Sequence, residues 1–102
     1  MNDKLLISAS NDSTIKVFDI SQGKSIKTFE NHSSKVLCLS TYQHYLASGS
    51  KDKTIKIFNL KNLSFLHTLE AHTHKVNSVK FSNSGKFLCS GSEDYTAIIW
   101  NI

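Results

Sequence analysis

His72, Ser90 and Asp94 are the ingredients of a nucleophilic triad: an imidazole, a hydroxyl whose proton it could take, and a carboxylate to orient the ring. Such chemistry also needs a strained, exposed nucleophile and donors for an oxyanion, and no nucleophile-elbow pattern surrounds Ser90. The same trio returns earlier in the chain as His32, Ser48 and Asp52. An active site is seldom written once per repeat, so both trios read as structural, and no catalytic residue is assigned.

The remaining reactive side chains point the same way. His72 and His74 are two apart and would share one face of an extended strand, the geometry of a chelate. His44 and His67 are scattered, and a metal site needs three or four ligands, so neither a metal nor a cofactor is assigned. Cys38 and Cys89 lie in apolar stretches and outside any C-x-x-C spacing. They read as small buried hydrophobes of a reducing compartment, not as a disulfide.

With 102 residues, 39% hydrophobic and 20% charged, the chain has the composition of one small globular domain. Its longest apolar runs, such as Leu5-Leu6-Ile7 and Ala97-Ile98-Ile99-Trp100, fall far short of the ~20 residues that cross a membrane. The N-terminus lacks a secretory apolar core of ~7–15 residues. The expectation is an intracellular protein, cytoplasmic or nuclear, with no membrane partner. The net charge is +4 and the pI about 9.1, yet all twelve basic residues are lysines. Arginine is the preferred bidentate reader of phosphate and guanine, so scattered lysines without it speak for a solvated surface and against specific nucleic-acid recognition.

The elements that position these residues are repeated. LISASNDSTIKVFDI at 6–20 returns as LASGSKDKTIKIFNL at 46–60 and as LCSGSEDYTAIIWNI at 88–102. Over 16 positions, 5–20 and 45–60 share eight identities, and 45–60 and 87–102 again share eight, too many for coincidence. A second block, TFENHSSKV at 28–36, returns as TLEAHTHKV at 68–76. The shift grows from 40 to 42 where Thr41–His44 is answered by Phe81–Lys86, whose Asn83-Ser84-Gly85 is turn chemistry that tolerates insertion. Apolar and β-branched stretches predict strands at 35–39 and 75–81, 46–50 and 88–92, 54–58 and 96–100, and 26–29 and 65–69. No stretch holds a helical period over ten residues, so the fold class is all-β.

A period near 40, a His between strands, then S-[AG]-S-x-D, then an aromatic followed by Asp or Asn resembles the WD40 repeat of β-propellers. The resemblance spans Leu5 to Ile102. It implies four-stranded antiparallel blades, their strands named a to d from the centre outward. The chain then runs b-c-d, a-b-c-d and a-b-c over segments 1–30, 31–70 and 71–102. That is about two and a half to three blades of a partial propeller, an open sector with apolar faces bare at both ends. It is expected to be a segment of a longer propeller.

The resemblance also implies a structural network: Ser8, Ser48 and Ser90 on strand b, Asp12, Asp52 and Asp94 in the b–c turn, His32 and His72 in the d–a connection, and Trp100 on strand c. Phe18 and Phe58 replace the tryptophan elsewhere, and the glycine that usually precedes the His is Asn31 or Ala71. Alanine disfavours positive φ, which predicts a different turn before His72.

The function that follows from the resemblance is a non-catalytic protein–protein interaction scaffold or adaptor, binding other proteins of a complex through rim loops. The expected contact set is Asn11, Lys35, Leu37, Lys51, Lys75, Asn77, Glu93 and Tyr95. Exposed blade faces would let it self-associate or pair with further repeats. The alternative is an RNA-associated component of a ribonucleoprotein assembly, suggested by the basic pI and opposed by the missing arginine.

Overall fold

Strands of alternating character dominate because each repeat sets β-branched and aromatic residues between short turns. The computed structural model describes residues 5–102; the first four residues of segment 1–30 lie outside the described residues. Ten strands follow in order: β1 Leu5–Ala9, β2 Ile15–Asp19, β3 Lys24–Phe29, β4 Val36–Tyr42, β5 Tyr45–Ser50, β6 Ile55–Asn59, β7 Ser64–Leu69, β8 Val76–Phe81, β9 Phe87–Ser92 and β10 Ala97–Asn101. They form three antiparallel meanders, β1-β2-β3, β4-β5-β6-β7 and β8-β9-β10, and none of the three sheets closes on itself. The described residues contain no helix. The strand order is therefore b-c-d, a-b-c-d and a-b-c, that of a partial propeller.

Strands are longer than the sequence pattern suggests where a hairpin is tight. β4 runs on to Tyr42 and turns into β5 through Gln43-His44 alone, with Gln43 at φ 53°. The matching turn between β8 and β9 spans 82–86 and carries Gly85 at φ 74°. A Cβ on Gly85 would overlap the ring of Tyr42, so glycine is required twice, for its dihedral and for the close approach. The two inserted residues thus dock one sheet's turn onto its neighbour.

Register shifts recur at matching places. β4 and β5 slip between Val36 and Cys38, and β8 and β9 between Val76 and Ser78. The residues left out of the pairing are Leu37 and Asn77, and both side chains are exposed. A bulge re-aims a side chain at the end of a strand, which is how these two reach the surface.

The middle sheet is covered on both faces. Ile15, Val17 and Phe29 of the first sheet meet Leu46 and Phe58 of the second, with the rings of Phe29 and Phe58 at 4.3 Å. Ala47, Ile55 and Ile57 on the opposite face meet Val76, Val79, Phe81 and Leu88 of the third. Consecutive residues of β5 from Leu46 to Ser50 are therefore all buried, whereas β1 and β9, with the same sequence pattern, are covered on one side.

Cys89 departs from the buried thiol expected for it. It is exposed, because it lies on the face of the last sheet that no other described sheet covers. Cys38 is half-buried, its thiol donates to Val76 O at 3.7 Å, and burial pushes it up to about 11.

Candidate functional site

The b–c turns are built alike from S-x-D-x-T: Ser10 to Thr14, Ser50 to Thr54 and Ser92 to Thr96. In each, the serine N–H donates to the threonine carbonyl, at 3.1, 3.2 and 3.2 Å. The aspartate Oδ1 accepts from the threonine N–H at 3.0, 2.9 and 2.9 Å, and from the threonine hydroxyl as well. The carboxylate thus closes the turn as a local acceptor. The fourth position holds positive φ in all three: Ser13 at 76°, Lys53 at 77° and Tyr95 at 68°.

Two of these turns are tied to the preceding connection through histidine. His32 Nδ1 lies 2.8 Å from Asp52 Oδ2, and His32 Nε2 lies 2.6 Å from Ser48 Oγ. His72 Nδ1 lies 2.9 Å from Asp94 Oδ2, and His72 Nε2 lies 2.8 Å from Ser90 Oγ. The same Oδ2 also accepts the N–H of Ser33 or Thr73, each at 3.0 Å, so the connection is held by backbone and side chain together. In the last repeat Trp100 Nε1–H donates to Ser90 Oγ at 2.9 Å and completes a one-way chain, indole to hydroxyl to imidazole to carboxylate. In the middle repeat Phe58 offers no donor, and the chain starts at Ser48.

The connectivity of each trio is that of a catalytic triad, but its setting is not. Ser48 is 0% exposed and Ser90 1%, so no substrate carbonyl reaches either hydroxyl. Burial holds His32 below the ordinary imidazole range, and this outweighs the hydrogen bond and charge of Asp52 that work the other way. Burial by itself would raise Asp52; hydrogen bonds from Thr54, His32 and Ser33 outweigh it and leave the carboxyl lowered. The pair therefore stands as neutral imidazole and carboxylate, the arrangement in which Nδ1–H donates to Asp52 and Nε2 accepts from Ser48. Asp94 is lowered too, first by the Thr96 hydroxyl and then by His72 and the N–H groups of Thr73 and Thr96. Every buried side-chain polar atom among the described residues has a partner, so these are satisfied networks.

The first repeat assembles differently. Asp12 holds its own turn through Thr14, which lowers the carboxyl, and no imidazole reaches it among the described residues. Ser8 is exposed. The turns before His32 and His72 are alike: neither Asn31 nor Ala71 adopts positive φ, so the alanine disturbs nothing. His74, His44 and His67 do not converge, and no group of three or more metal-binding side chains occurs among the described residues.

The eight rim residues lie at the b–c turns, the d–a connections and the bulges beside them. Asn11, Lys35, Leu37, Lys51, Asn77, Glu93 and Tyr95 are exposed, with Tyr95 at 100%. Lys75 is half-buried and pairs with Glu93 at 3.5 Å. Lys53, beside this set in sequence, is exposed as well.

The family model described as WD domain, G-beta repeat matches residues 1–19, 23–59 and 63–101. No curated protein matches the chain significantly. The solved structure of U3-55K superposes with a TM-score of 0.93 at 29% identity over 98% of this chain and 33% of that one. The computationally designed Ika4 protein superposes at 0.89 and 27% identity, over 100% of this chain and 62% of that one. A chain of the Mitotic Checkpoint Complex gives 0.90 at 25% identity, over 96% and 30%. The chain thus spans less than two thirds of each of these.

Proposed function

This chain belongs to the WD40 family, and on that premise we propose that it is a non-catalytic scaffold or adaptor module that binds partner proteins through one rim. One observation carries the reading. The three b–c turns keep the same serine, aspartate and threonine in the same hydrogen bonds, while the two positions between them differ every time: Asn11 and Ser13, Lys51 and Lys53, Glu93 and Tyr95. A fixed frame presenting varied side chains is the construction of a recognition surface. The Ser-His-Asp trios are spent on that frame. The Mitotic Checkpoint Complex chain supports the reading as a similar fold within an assembly.

The partner is a protein of an intracellular complex, in keeping with two free cysteines. Replacing Lys35, Asn77 and Tyr95 together by alanine tests the rim. Partner crosslinking, read by mass spectrometry, should be lost while the thermal unfolding midpoint stays in place. Undiminished crosslinking of the folded triple variant contradicts the proposal. The basic pI, about 9.1, is the ground for a second reading, association with RNA, which predicts binding that falls steeply with salt.

A further inference from the structure

Lys51 N–H donates to Lys35 O at 2.9 Å, and one repeat on, Glu93 N–H donates to Lys75 O at 3.2 Å. The two contacts are equivalent, so the backbone places residues 35 and 51 beside each other as it places 75 and 93. In the last repeat they carry opposite charges and Lys75 Nζ meets Glu93 Oε2 at 3.5 Å. In the middle repeat both are ammonium groups, both are exposed, and among the described residues neither is ion-paired. Lys53 adds a third exposed cation at the tip of the same turn.

The platform beneath these lysines is held. Ser50 Oγ donates to Lys35 O at 2.7 Å and accepts from Asp52 N at 3.0 Å, and Asp52 is clamped by Thr54 and His32. Two like charges stand on this platform, and among the described residues no carboxylate pairs with them as Glu93 pairs with Lys75. We propose that Lys35 and Lys51 form a receptor for a carboxylate of an acidic peptide segment on a partner protein. That carboxylate stands to Lys35 as Glu93 stands to Lys75. The internal counterpart is itself a carboxylate, Glu93 on Lys75, so the acidic side chain is the matching ligand. The proposal rests on the reading of the chain as a protein-interaction module and adds the chemistry of its partner.

The test is fluorescence anisotropy at low salt with a short fluorescein-labelled Glu-rich peptide, its Gln-rich counterpart and a short single-stranded RNA. The Glu-rich peptide should bind and the Gln-rich one should not. Lys51→Glu should weaken binding about tenfold or more by supplying the internal carboxylate, and Lys51→Ala should weaken it less. Lys24→Glu, the same charge change on β3, should alter it less than about twofold. Circular dichroism confirms that each variant is folded. Absence of binding to the unsubstituted chain overturns the proposal. So does an equal loss in Lys51→Glu and Lys24→Glu, or Lys51-sensitive binding of the RNA in place of the peptide. If crosslinked partners persist in Lys51→Glu yet vanish in Tyr95→Ala, the acidic assignment falls and the interaction-module reading stands.

Discussion

The middle and last repeats share a backbone plan and half of sixteen residues over 45–60 and 87–102, yet they use it differently. The middle repeat is enclosed: Phe58 is 0% exposed and Ile57 5%, while the equivalent Ile99 is 72% exposed. Its network lacks an indole donor, and its rim carries two lysines where the last repeat has a lysine and a glutamate. Both repeats keep the serine, histidine, aspartate and threonine that bind one another, each buried or clamped by a partner in fixed geometry. The turn residues between them differ, Lys51 and Lys53 in one and Glu93 and Tyr95 in the other. The difference separates the residues that hold the turn from those that the turn displays.

The largest effect should come from the enclosed side. Phe58→Ala removes a ring packed on Phe29 and Phe65 and should cost about 3–5 kcal/mol. Ile99→Ala, on the uncovered face, should stay within about 0.5 kcal/mol, and urea denaturation of the two variants measures the contrast. A smaller effect follows in the networks. Ser48→Ala leaves the buried Nε2 of His32 without its donor and should cost about 1–3 kcal/mol, whereas Ser8→Ala, at an exposed hydroxyl, should be near neutral. Equal costs for Ser48 and Ser8 would erase the distinction between clamp and display.

Acid should act in two stages. Burial lowers His32 in the folded state, so its contribution is complete above the unfolded pKa of about 6.5 and is lost as pH falls from there toward the folded value. Asp52 is lowered as well, so its contribution is present above about 3.9 and is lost as pH falls through its folded value. Denaturation midpoints followed down the pH scale should drop twice, and His32→Asn should flatten the upper drop. The smallest effect belongs to the turn itself. Lys53 holds φ 77°, which costs an L-residue about 1–2 kcal/mol, whereas glycine adopts it freely but loses about 0.5–1 kcal/mol more backbone entropy, so Lys53→Gly should raise stability by about 0.5–1 kcal/mol. An unchanged or lower midpoint would show that the lysine side chain is part of the frame.

Much of this was legible in the residues. The strings recurring at 6–20, 46–60 and 88–102 exposed the repeat, and the family pattern laid on it gave the number and order of the ten strands. Period and pattern survive because side chains alternate across every strand. What did not show was anything set by contact between sheets. Cys38 and Cys89 sit in similar apolar stretches, yet one is half-buried and one exposed, since burial depends on which neighbour covers the face. The bulges within a sheet that bring Leu37 and Asn77 to the surface also left no mark in the hydrophobic pattern, although the resemblance had placed both residues on the rim. Leu63 at φ 57° and Gln43 at φ 53° adopt positive φ with side chains that do not favour it, a strain that the surrounding hairpins impose.

The central claim is that residues with the identity of a hydrolase triad are clamps. Exposing the native chain to a fluorophosphonate, which esterifies activated serines, tests it most directly. With Ser48 at 0% and Ser90 at 1% exposure, no labelling of either should be found by mass spectrometry of the folded protein. Stoichiometric labelling of Ser48 or Ser90, abolished by His32→Asn or His72→Asn, would show a reachable nucleophile and contradict the account.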